Sequence, residues 1–121
     1  MKLNHLHINV PDVEEACSFY VNFFNFKLIS KHEDGAFLRD EAGFLLALDP
    51  FDNNERTDFP GWFHFGFCLD SPQAVRDLYN KMKLSGVEFA RELREFGDSA
   101  VNFYCWAPGN YKMEVTWNKN E

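Results

Sequence analysis

The chain has 121 residues, 45% of them hydrophobic and 26% charged, about one domain of ordinary globular sequence and too apolar for intrinsic disorder. Lys and Arg number 12 against 19 Asp and Glu, a net charge of −7, so no basic field exists to neutralise phosphates and no nucleic-acid partner is expected. Apolar runs fall far short of the roughly 20 residues that cross a bilayer, and Met1-Lys2-Leu3-Asn4-His5 lacks a signal-peptide core, so a cytoplasmic protein without membrane partners is expected.

Leu6, Ile8 and Val10 alternate with His5, His7 and Asn9, the period-two pattern of a strand with two unlike faces. Asp12 and Glu15 form a capping box ahead of Val13, Ala16, Cys17, Tyr20 and Phe24, which predicts an amphipathic helix over Asp12 to Phe24. Three strand candidates follow, Phe26 to His32, Ala36 to Asp40 and Phe44 to Asp49, divided by Asp34-Gly35 and Glu41-Ala42-Gly43. The pattern restarts at Phe63, Phe65, Phe67 and Leu69, alternating with Trp62, His64, Gly66 and Cys68. Ser71-Pro72 reads as N-cap and first residue of a second helix running to Gly86. Glu88 to Glu95, Ser99 to Trp106 and Tyr111 to Asn118 are the remaining strand candidates.

The halves overlay as an internal repeat. An offset of 59 places His5 on His64 and Tyr20 on Tyr79, and an offset of 67 places Leu46-Ala47-Leu48 on Met113-Glu114-Val115. The expected architecture is one domain over 1–121, α+β, with a βαβββ module at about 1–50, a polar linker from Pro50 to Gly61, and a second module at about 62–118.

Side-chain direction then selects candidate functional residues. The apolar face of each first strand packs on its helix, so His5, His7 and Asn9 face the other way, as do His64 and, on the last strand, Lys112, Glu114 and Thr116. If the two modules pair with these faces enclosing a cleft, His5, His64 and Glu114 project into it. Two imidazoles and a carboxylate leave coordination positions open on a divalent metal, where a substrate oxygen can bind and be polarised. A Glu between Met113 and Val115 is the most informative of the three, because a carboxylate in an apolar strand needs a cation or donors. Asn102, Tyr104 and Trp106 share one strand face, as do Phe37 and Arg39. Tyr104 is a candidate donor to an anion or oxyanion. Cys17, Cys68 and Cys105, an odd number without CxxC spacing, read as small core residues in a reducing compartment. The 14 Phe, 4 Tyr and 3 Trp suit thick sheet cores and a lined cavity.

Leu3-Asn4-His5-Leu6-His7-Ile8-Asn9-Val10 with Asp12 and Ser18-Phe19-Tyr20, then His64-Phe65-Gly66-Phe67, then Pro108-Gly109-Asn110-Tyr111-Lys112-Met113-Glu114 together resemble the vicinal oxygen chelate superfamily. That group includes glyoxalase I, fosfomycin-resistance proteins, bleomycin-resistance proteins and extradiol dioxygenases. The resemblance spans nearly the whole chain. It implies two paired βαβββ modules forming a curved mixed sheet around a cleft, a divalent metal ion (Mn, Fe, Ni, Co or Zn) held by His5, His64 and Glu114, a small-molecule substrate and a homodimer.

The departures narrow the expected function. Glyoxalase I carries a further Glu on the fourth strand, where this chain has Ala47, so glyoxalase I activity is not expected and His7 is the nearest candidate base. The three-ligand pattern is more similar to the fosfomycin thiol transferases, but the basic, hydroxyl-rich anion pocket of that group is incomplete here. Two expectations lead, ahead of a non-catalytic accessory or regulatory module. One is a metal-dependent lyase, transferase or dioxygenase acting on a small oxygen-bearing substrate, with His7 and Tyr104 as catalytic candidates. The other is a metal-free binding protein of the bleomycin-resistance kind, whose aromatic face sequesters a planar ligand.

Overall fold

The computed structural model describes residues 1–51 and 59–121. The chain divides into two compact units, Met1–Phe59 and Pro60–Glu121. Most of the expected linker, residues 52–58, lies outside the described residues.

The first unit comprises β1 (His5–Val10), α1 (Val13–Phe24), β2 (Lys27–His32), β3 (Gly35–Arg39) and β4 (Leu45–Pro50). Its sheet has the order β1-β4-β3-β2, with β1 parallel to β4 and the other pairs antiparallel. The N-cap half of the expected capping box forms: Asp12 Oδ1 accepts from the Glu15 amide at 3.1 Å, satisfying one orphan donor of the first turn. α1 buries Ala16, Phe19 and Tyr20 against the face that carries Ile8, Val10, Leu38, Leu46 and Leu48. The polar face of β1 is thereby left on the side away from the helix.

The second unit repeats this order: β5 (His64–Cys68), α2 (Pro72–Leu84), β6 (Phe89–Phe96), β7 (Ala100–Ala107) and β8 (Tyr111–Asn118), with sheet order β5-β8-β7-β6. The Ser71 side chain accepts from the Ala74 amide at 3.0 Å, and Gly86 follows the helix at φ +84°, a conformation that suits glycine. Val75, Tyr79 and Met82 of α2 are buried, as are Val101, Phe103, Cys105, Met113 and Val115 of the sheet. The result is two four-stranded mixed sheets, each carrying one helix, the α+β architecture expected from the repeat.

Both offsets reappear as ladder positions. His5 opens β1 and His64 opens β5; His7 lies opposite Ala47, and Gly66 opposite Glu114. One expectation is corrected: the cysteines are not all core. Cys105 is buried, Cys17 intermediate and Cys68 exposed, because Cys68 continues the polar face of His64 and Gly66.

Candidate metal and substrate site

In the second unit the site is built on the sheet face opposite α2. Its centre is Glu114. His64 Nε2 lies 3.6 Å from Glu114 Oε1, Asn102 Nδ2 donates to Oε2 at 3.4 Å, and the Glu114 charge helps raise the Tyr104 phenol. Gly66 makes this possible. It lies directly opposite Glu114, and a side chain there would stand 2.4 Å from the Glu114 carbonyl oxygen.

The His64 ring is fixed from two sides. Its Nδ1 lies 3.0 Å from the Trp62 carbonyl oxygen, and its ring meets Tyr104 edge-on at 5.3 Å. A carbonyl only accepts, so Nδ1 donates to it, and Nε2 is the nitrogen left facing the Glu114 carboxylate. A carboxylate facing that nitrogen suits a shared cation, either a proton on Nε2 or a metal ion bound by both groups. Donors bound to one metal at about 2.0–2.2 Å stand about as far apart as this pair, and a carbonyl on the other ring nitrogen is the usual support of a metal-binding histidine.

Burial pushes the Tyr104 phenol above its usual range; the neighbouring Glu114 carboxylate adds to this, and Arg91 and Arg94 oppose it. These two arginines were not legible in the sequence. Arg91 pairs with Tyr104 and Arg94 with Asn102 across the β6–β7 ladder, with irregularities in register on either side of Arg91. Paired residues share a face, so both guanidiniums belong to the Tyr104 face although they are three residues apart. The acids of the same strand go the other way: Glu92 accepts from Tyr79 and Glu95 from Arg76 of α2. β6 thus sorts its charges, carboxylates to the helix and cations to the open face. Lys112 is the third cation there, 4.0 Å from the Trp62 ring centroid and 5.5 Å from that of Trp106. Asn102 Oδ1 is buried with no partner among the described residues.

In the first unit His5 is exposed, and its Nδ1 lies 2.7 Å from Asn4 Oδ1. As in His64, this engages Nδ1 and leaves Nε2 available. His7 Nε2 lies 2.8 Å from Asp49 Oδ2, and His32 Nε2 lies 3.2 Å from Asp49 Oδ1. The His32 ring stacks on Phe37 at 4.6 Å. Asp49 is a further residue that sequence reasoning passed over, since its contacts follow from cross-strand register. Among the described residues no group of three or more His, Cys, Asp or Glu side chains is assembled as a metal cage, and no helix is long and apolar enough to cross a membrane.

Comparison with known proteins accords with this fold. A sequence model of the Glyoxalase/Bleomycin resistance protein/Dioxygenase superfamily matches residues 2–115, and the chain belongs to that superfamily. The metallothiol transferase FosB of Lysinibacillus sphaericus is 31% identical, the alignment covering 66% of this chain and 56% of that protein. An uncharacterised protein of Pseudomonas aeruginosa is 27% identical, covering 69% of this chain and 65% of the relative. The chain therefore spans less than two thirds of the length of either. A possible glyoxalase from Bacillus cereus has a similar structure, with a TM-score of 0.78 and 28% identity over 95% of this chain and 97% of that one. The fosfomycin-resistance protein FosX of Listeria monocytogenes, at 19% identity, a TM-score of 0.74, and coverage of 98% of this chain and 93% of that one, shares the fold.

Proposed function

We propose that the protein is a divalent-metal-dependent enzyme of the superfamily, acting on a small, oxygen-bearing anionic substrate. His64 and Glu114 are two ligands of the cation and His5 is the third. The observation that carries this reading is the placement of the His64 ring, with Nδ1 3.0 Å from the Trp62 carbonyl oxygen and Nε2 3.6 Å from Glu114 Oε1. His5 supports it by its equivalent place at the start of its strand and its equally engaged Nδ1. The ligand set suits Mn, Fe, Ni, Co or Zn. A cation there supplies Lewis-acid polarisation of substrate oxygens and leaves room for them to bind.

The chain's own residues define the rest. Arg91 and Arg94, without acidic partners among the described residues, favour a substrate that brings negative charge. The Tyr104 hydroxyl donates a hydrogen bond on the same face. His7, with Nε2 engaged by Asp49, keeps Nδ1 for proton transfer in the manner of a carboxylate-oriented imidazole. Ala47 stands opposite His7, where glyoxalase I carries a carboxylate. Asp49 is committed to two imidazoles, so glyoxalase I chemistry is no part of this reading. The relation to FosB favours group transfer over the lyase and dioxygenase alternatives.

Elemental analysis of purified protein, before and after supply of divalent cations, tests the proposal against His64→Ala and Glu114→Gln. Near-stoichiometric metal in the wild type and its loss in both variants is the expected result. Negligible metal in the wild type after loading overturns it and favours a metal-free binding protein, for which the exposed Trp62 and Trp106 would be the planar-ligand face.

A further inference from the structure

Trp62 has a side chain 67% exposed, yet its backbone holds the most constrained histidine of the site. Something must keep this segment in place, and the surrounding bonds identify it. Lys112 lies directly opposite His64 in the parallel β5–β8 ladder. Its ammonium group donates to the Gly61 carbonyl at 2.7 Å and sits 4.0 Å from the Trp62 ring centroid. The next peptide carbonyl, that of Trp62, accepts from His64 Nδ1. The turn is closed from below by the Phe63 amide donating to the Pro60 carbonyl at 2.9 Å. Residues 60–63 thus form a strap across the start of β5, pinned at its outer edge by one side chain.

We infer that Lys112 is a positioning residue for His64: by clamping Gly61 and the Trp62 ring, it holds the Trp62 carbonyl where it fixes the Nδ1–H tautomer and aims Nε2 at Glu114. Two features favour Lys112 over a purely solvated role. Among the described residues its charge is not spent on an acid, since its close contacts there are a carbonyl and the faces of two tryptophans, a geometry that immobilises an ammonium and the rings together. In addition, a neutral imidazole left to itself favours the other tautomer, so the Nδ1–H form requires an acceptor held in place. The second-layer support of a metal-binding histidine is ordinarily a group that accepts directly from the ring; here the accepting carbonyl is itself held by a lysine one strand away.

The consequence for cation affinity rests on the ligand role proposed for His64, whereas the tautomer does not, so the two can fail separately. The experiment is long-range proton–nitrogen correlation NMR on the metal-free protein, in buffer above the ordinary histidine pKa of about 6.5. It compares wild type with Lys112→Met, Lys112→Arg and Trp62→Ala. The wild type is expected to show His64 mainly as Nδ1–H. Lys112→Met and Trp62→Ala shift it toward Nε2–H, and Lys112→Arg, which keeps the donor and the cation over the ring, restores it. Zinc or cobalt titration is expected to show affinity lower by about 10–100-fold in Lys112→Met and recovered in Lys112→Arg. An unchanged His64 tautomer in a folded Lys112→Met protein overturns the inference. A shifted tautomer in a protein that binds no cation even as wild type sustains the inference and overturns the metal reading instead.

Discussion

Gly66 and Glu114 are ladder partners on neighbouring parallel strands, and the first has no side chain because the second occupies that space: a Cβ on Gly66 would stand 2.4 Å from the Glu114 carbonyl oxygen and 2.9 Å from its Cβ. The nearest obstacle is backbone, which cannot swing aside. Gly66→Ala is therefore expected to push β5 away from β8 and to cost about 1–3 kcal/mol, the usual range for overpacking. Denaturant unfolding measures it. A change smaller than the error of that measurement would show that the two strands are not held at this separation.

Thiol reactivity should follow position. Cys68 is exposed and Cys17 intermediate, while Cys105 is buried with its thiol pushed up to about 12 by desolvation. Burial also raises Cys17, with Lys31 opposing. Since the thiolate is the reactive form, maleimide at neutral pH should label Cys68 first, Cys17 more slowly and Cys105 only after unfolding. Mass spectrometry of the time course reads the order, and native labelling of Cys105 would contradict the packing of β7.

Alkaline pH should weaken the fold through two phenols. Tyr79 is raised chiefly by its hydrogen bond to Glu92, and Tyr104 chiefly by burial. A raised folded value means that the contribution is complete below the unfolded tyrosine value of about 10 and is lost as pH climbs through the folded one. Stability should accordingly decline above about pH 10, and less steeply in Tyr79→Phe and Tyr104→Phe. Ultraviolet titration of phenolate should show each variant lacking one late-titrating group.

Anion recognition should depend on the cations of β6. If Arg91 and Arg94 receive a negatively charged group, phenylphosphonate should bind the wild type more tightly than neutral benzyl alcohol, with perturbation of the Trp106 or Tyr104 signals. The double variant Arg91→Gln/Arg94→Gln should lose about tenfold or more, as expected for charge-assisted hydrogen bonds of roughly 1.5–3 kcal/mol. Equal binding of the charged and neutral compounds would remove the anionic substrate from the proposal.

The elements themselves were legible because each depends on neighbours in sequence. Asp12 caps α1 through a residue three positions on, Ser71 does the same for α2, and the alternation along β1 and β5 decides which side meets the helix. His5, His64 and Glu114 could be singled out for the same reason: a polar residue in an apolar alternation is visible without coordinates. Lys112 was visible as a neighbour of Glu114 on the same face, but not as the clamp on Gly61, since that contact spans 51 positions.

What the sequence determined by itself was periodicity: two βαβββ repeats, their caps, and the polar faces of their first and last strands, all set by local sterics and the need to bury one face. Only the tertiary structure decided register. Irregularities in the β6–β7 ladder turn Arg91 and Arg94 onto the face of Tyr104 and send Glu92 and Glu95 to α2. Pairing of β1 with β4 brings His7 to Asp49, and the successive pairings of β2 with β3 and β3 with β4 bring His32 to the same carboxylate. A one-residue slip between strands reverses the face of a side chain, and that slip is set by hydrogen bonding across the sheet rather than by the order of residues along one strand.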